Sequence, residues 1–205
     1  MSPELYLTYL VTITVLLAVP GPMTLMALST SVRYGHAKAF FVILASNVAG
    51  LVFMALSALG VGAILQQQPI LFDGLRYAGA AYLIWLGISA WRAPIGSYDA
   101  NAGSQFDFSG SKLFFKTLML GLSNPKGLIF FAALFPQFIN TQAPLAPQLS
   151  ILCVSFTLMD FLILNLVAFS GCRLATLLSR ENIQRRFNQA CALVFIGVGG
   201  SIALV

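Results

Sequence analysis

From Leu5 to about Ser31 the chain runs without a single charged residue. A bilayer span needs about 20 apolar residues, so this stretch is long enough to cross one. Within it stand Pro20, Gly21 and Pro22. Two prolines and a glycine remove backbone donors and loosen a helix where lipid offers no substitute partners. A break at mid-depth survives only where protein or a water-lined cavity satisfies the freed carbonyls. Pro20-Gly21-Pro22 therefore reads either as the lining of a substrate path or as a plain kink against neighbouring helices, because Gly and Pro are fairly common in membrane helices.

Composition settles the class. Of 205 residues, 59% are hydrophobic and 8% charged, and the mean hydropathy is +0.88. A soluble domain carries about 25% charged residues. The chain is all-α, a polytopic membrane protein whose medium is the lipid bilayer. A barrel is excluded, since barrel strands alternate over about ten residues. The net charge of +5 does not point to nucleic acid, because the basic residues sit at the ends of apolar runs. No Lys or Arg precedes the first run, which argues against a cleaved signal peptide and for a retained first helix.

Six spans are predicted: Leu5–Thr30, Ala39–Leu65, Ile70–Trp91, Leu113–Phe135, Leu145–Gly171 and Phe187–Val205. A polar, turn-rich loop over 93–112 divides one transport domain, 1–205, into halves of three helices, 1–92 and 113–205. Lys and Arg mark cytoplasmic span ends. Nine of the eleven (Arg33, Lys38, Arg92, Lys112, Lys116, Arg173, Arg180, Arg185 and Arg186) fall on one side. Arg76 alone falls on the other, and Lys126 lies within the fourth span. Both termini are thus expected outside. The second half then enters the membrane upside down relative to the first, as in transporters built from inverted repeats.

The fourth span carries its own interruption, Asn124-Pro125-Lys126-Gly127. Asn is a favoured N-cap and Pro a favoured first helical residue, so Asn124-Pro125 reads as the start of a half-helix. Gly21-Pro22 allows the same reading. Two helix N-termini near the midplane would attract a carboxylate. Lys126 either adds a full positive charge there or snorkels to the cytoplasmic interface. Asp160 lies near the centre of the fifth span. A carboxylate buried there is expected to act as a proton relay or a counter-ion for a cation, or to pair with Lys126.

Other polar residues carry less. Asn47 is an intramembrane amide and a candidate substrate ligand, although amides such as Asn47 and Asn165 often serve as interhelical glue. Ser46 and Gly50 are spaced for tight packing, and Tyr77, Tyr82 and Trp85 read as packing residues, with an interfacial belt or a pocket as the alternatives. Gly79, Gly87, Gly197, Gly199 and Gly200 suit close helix contacts within or between chains. His36 is expected to be solvated in a cytoplasmic turn, and one histidine makes no metal site. Cys153, Cys172 and Cys191 have no metal spacing and read as packing residues. No Ser/His/Asp set and no HExxH is present, so an enzyme is not expected and no cofactor is implied. An exporter of another small solute or of an inorganic cation remains the alternative reading. A cation would need more ligands than Asp160 supplies.

Together these motifs resemble the LysE/RhtB family, the lysine exporter and homoserine/threonine-resistance type of bacterial amino-acid efflux proteins. The resemblance rests on Pro20-Gly21-Pro22, Arg33-Tyr34-Gly35, Gly79-Ala80-Ala81-Tyr82-Leu83 with Gly87, Asn124-Pro125-Lys126, Phe130-Phe131, Pro136-Gln137-Phe138 and Asp160, in that order. It implies six spans in the inner membrane, homo-oligomers, and amino-acid export driven by the proton gradient. Ala39, and Ala190-Cys191, stand where the family often has glycine; these departures bear on which substrate is carried.

Overall fold

The computed structural model describes residues 2–19, 21–67, 69–93, 109–140, 142–178 and 181–203; inside the helices, the side chains of 61–73, 76, 125–129, 171–178 and 202 lie outside that description. The described residues form eight helices: α1 (Pro3–Ala18), α2 (Pro22–Tyr34), α3 (His36–Gln67), α4 (Pro69–Trp91), α5 (Gly110–Leu122), α6 (Pro125–Phe138), α7 (Leu145–Leu178) and α8 (Glu181–Ala203).

Local chemistry sets the boundaries. Ser2 caps α1 by accepting from the Leu5 amide at 3.2 Å, with Pro3 in the first turn. α1 stops at Ala18, because Val19 turns to an extended backbone. α2 restarts at Pro22, a residue whose fixed φ suits a first helical position and whose missing N–H costs nothing there. Gly35, at φ +80° and ψ 167°, ends α2 and turns the chain into α3; that region is almost closed to residues with a side chain. α5 and α6 are likewise parted at Ser123-Asn124, ahead of Pro125.

The expected first and fourth spans are thus each two helices. α1 and α2 meet at a 55° bend. α5 begins at Gly110, so the end of the expected loop is already helical, while 94–108 lie outside the described residues. α8 begins at Glu181, six residues ahead of the expected Phe187, because a charged amphipathic turn precedes its apolar part. The element pattern repeats. A broken pair, a long helix of 32 or 34 residues and a helix of 23 residues occur twice. By length and composition, α3 over His36–Gly60 and α7 over Leu145–Ser170 can each cross a membrane, and the bent α1–α2 pair makes a third candidate.

Two apolar clusters hold the helices together. The larger joins Tyr9, Leu83, Leu134, Phe135, Phe138 and Leu152, all 1% exposed or less, to Phe195. The smaller joins Ala27, Ala39, Val42, Ile43 and Ala168 with Leu113 and Leu164. α4 and α8 form the most extensive helix pair. Their backbones meet closely at glycine. A Cβ on Gly87 would fall 2.8 Å from the Ala192 carbonyl oxygen, and one on Gly199 2.8 Å from that of Ala80. Gly79 likewise abuts Ala133 and Gln137 of α6. These three glycines therefore pack within the chain, whereas a Cβ on Gly197 or Gly200 would meet no neighbouring element within 4 Å.

His36 departs from expectation. It is half-buried, its Nε2 lies 3.1 Å from Asn165 Oδ1 on α7, and its ring stacks on Phe169 at 3.9 Å. The turn carries it towards α7 rather than into water.

Candidate functional site

The two breaks, α3, α6 and α7 line a partly open cavity of about 180 Å³. Gly21, Pro22, Met23 and Thr24 line it from the start of α2, and Gly121 and Asn124 from the α5–α6 break. Ser46, Ala49, Gly50 and Phe53 line it from α3. Their spacing of i, i+3, i+4 and i+7 is one helix face. Phe156, Asp160 and Leu164 line it from α7 at intervals of four, again one face.

Asp160 is 7% exposed. Its Oδ2 accepts a hydrogen bond from Asn47 Nδ2 at 3.1 Å and a longer one from Ser46 Oγ at 3.4 Å. A carboxylate this buried is tolerable only with such partners. Asn47 Nδ2 also donates to the Ile43 carbonyl at 3.0 Å, while Asn47 Oδ1 is buried without a hydrogen-bond partner. Asn47 is absent from the cavity lining and stands behind Asp160 as a donor.

The N-terminus of α2 opens on this space. Gly21 occupies the cap position in extended conformation and offers no side-chain cap. Amides of a first helical turn lack intrahelical acceptors and carry partial positive charge. α6 begins at Pro125 with Asn124 just ahead of it, and Lys126 falls in its first turn. The side chains of Pro125 and Lys126, and all of Pro20, lie outside the described residues. Gly21, Pro22, Asn124 and Asp160 thus meet at one cavity, with Asn47 adjoining it. Ser46, read from sequence as a packing residue, is also here; its register with Gly50 and Phe53 was the available signal.

Much of the remaining lining is apolar. Phe53, Phe130, Phe131 and Phe156 are each 7% exposed or less. Phe131 meets Phe156 edge-on at 4.8 Å between ring centres. Ser57 Oγ donates to the Phe131 carbonyl at 2.8 Å and ties α3 to α6 behind this wall.

The family model described as LysE type translocator matches residues 14–204. The chain belongs to the LysE family. Among relatives of this LysE-family chain, the homoserine/homoserine lactone efflux protein of Salmonella typhi is 35% identical over 99% of this chain and 98% of its own. The leucine efflux protein of Enterobacter sp. (strain 638) is 31% identical over 96% and 93%. An uncharacterized membrane protein of Vibrio cholerae is 29% identical over 99% and 98%. No solved structure matches it significantly. Apolar helices and family membership together make it a helical membrane transporter-family protein.

Proposed function

We propose that the protein is a secondary exporter of amino acids in the bacterial inner membrane, coupled to the proton gradient. Residues 1–205 form one transport domain of six spans with both termini outside: α1–α2, α3 and α4, then α5–α6, α7 and α8, as two inverted halves of a homo-oligomer subunit. The repeated element pattern and the basic bias of the expected cytoplasmic ends support this arrangement. The observation that carries the function is the cavity shared by Gly21, Pro22, Asn124 and Asp160. In this reading, the substrate carboxylate faces the first turns of α2 and α6, with Pro20, Pro125 and Lys126 at the same breaks. Its ammonium group engages Asp160, held by Asn47. Protonation of Asp160 from the outer side releases the ammonium, and loss of that proton to the cytoplasm resets the site. The family relatives named for homoserine and leucine efflux lend the substrate class.

Alternating access needs closures on both sides of the cavity. α7 is fastened on both sides of Asp160, at equal intervals. On one side Tyr9 Oη donates to the Leu152 carbonyl at 2.7 Å and Tyr6 Oη pairs with Ser155 Oγ at 2.7 Å. On the other, His36 pairs with Asn165 and Ser31 Oγ donates to the Ala168 carbonyl. These contacts lie five and eight residues from Asp160 each way, roughly 7.5 and 12 Å along the helix. They are the outer and inner closures, with the α1–α2 bend between them.

The test uses inverted vesicles with an acidic lumen and labelled amino acids outside. Wild-type vesicles are expected to accumulate label. Asp160→Asn vesicles are expected to lose gradient-driven accumulation but to retain exchange of label against unlabelled substrate. Accumulation by Asp160→Asn at the wild-type rate would remove Asp160 from coupling.

A further inference from the structure

Resting on the exporter reading, we infer that the transported species is a neutral amino acid with an aliphatic or thioether side chain, and that Phe53, Phe131 and Phe156 select it. The cavity is divided along its length. Ser46 and Asp160 supply its acidic polar group; Phe156 stands one turn to one side of Asp160 on α7 and Leu164 one turn to the other, and Phe53 stands two turns along α3 from Ser46. A ligand whose ammonium meets Asp160 has apolar lining on both sides of it along α7, and the larger apolar surface, that of Phe53, Phe131 and Phe156, is where its side chain is placed.

The polar inventory leaves little for a second polar group. Among the described lining residues Asp160 is the one carboxylate, and the ammonium group occupies it. A lysine or arginine side chain would enter the apolar end as an unpaired charge, which is strongly unfavourable. A hydroxyl on the side chain fares little better. Ser46 is engaged with Asp160, and the Phe131 carbonyl already accepts from Ser57. Thr24 and Asn124 belong to the helix-start end, where the substrate carboxylate sits in this reading. A hydroxyl pointing at the phenylalanines would lose water without gaining a partner. Size agrees. The cavity's approximate 180 Å³ lies below the roughly 300 Å³ where drug-sized sites begin, so a single amino acid is the scale of ligand it holds. The inference departs from the 35% identical relative, which is named for homoserine.

The experiment measures competition in the same inverted vesicles. Labelled leucine is challenged with unlabelled leucine, methionine, homoserine and lysine. One methylene in an apolar pocket is worth about tenfold or more in discrimination. Leucine and methionine are expected to compete at similar concentrations, homoserine at least tenfold more weakly, and lysine not at all. Phe156→Leu keeps an apolar side chain and is expected to shift the leucine-to-methionine ratio while leaving protein yield unchanged. Homoserine or lysine competing as well as leucine, or a Phe156→Leu protein with the wild-type order of preference, would overturn the inference and leave the exporter reading standing. Transport of no amino acid from this panel would instead bring down the exporter reading itself.

Discussion

At Asp160 the balance between folding and transport can be tested by removing its two donors one at a time. Asn47 gives the shorter hydrogen bond, 3.1 Å against 3.4 Å for Ser46. A hydrogen bond to a charged group contributes about 1.5–3 kcal/mol. Asn47→Ala is therefore expected to raise the half-saturating substrate concentration by tenfold or more, and Ser46→Ala by less. Stability responds differently. Asn47→Ala also deletes a buried carbonyl that has no partner, which offsets part of the cost of leaving Asp160 short of a donor, so the unfolding temperature in detergent is expected to fall only modestly. Equal half-saturation for both variants would break this ranking. Asp160 was legible in the sequence because a carboxylate inside an apolar run has few innocent explanations. Ser46 was not, because a serine in a span serves packing and hydrogen bonding equally well. Only the face it shares with Gly50 and Phe53, seen against Asp160, distinguishes the two.

Among the helices, the consequential contact is where α5 comes against the start of α2. A Cβ on Gly121 would lie 2.6 Å from Met23 Cε and 2.8 Å from Ala49 Cβ. The methionine end can swing aside, but the alanine is fixed to α3. Gly121→Val is expected to cost about 1–3 kcal/mol of overpacking and to lower the initial transport rate severalfold by narrowing the cavity. Adding Met23→Ala should recover part of the rate. A double variant no faster than Gly121→Val would place the obstruction elsewhere. The breaks at Gly21-Pro22 and Asn124-Pro125 were readable because proline and glycine interrupt helices wherever they stand. The bend itself was not, since its angle depends on what the two arms pack against. Nor was the seat of His36, whose partner is 129 residues away. The early start of α8 escaped because Glu181 to Arg186 form a charged turn, and hydropathy detects only the apolar remainder.

For the molecule as a whole, the two sets of contacts along α7 give opposite expectations. Thr24→Cys, in a background with Cys153, Cys172 and Cys191 replaced, puts a reporter on the cavity wall. Tyr9→Phe removes one hydrogen bond from the set proposed as the outer closure and is expected to increase labelling by an impermeant maleimide added outside cells. His36→Gln is expected to increase labelling in inverted vesicles, where the cytoplasmic face meets the reagent. Both variants shifting the same side would refute the assignment of ends, and with it the placement of the termini outside. Among the described residues no lining residue comes from α4 or α8, although that pair shares the most extensive packing. If the cavity holds the cargo as proposed, evolution, or a mutagenesis library, can retune it through lining residues of α1, α2, α3, α5, α6 and α7 without disturbing the seam at Gly87 and Gly199. One durable frame can serve paralogues with different diets.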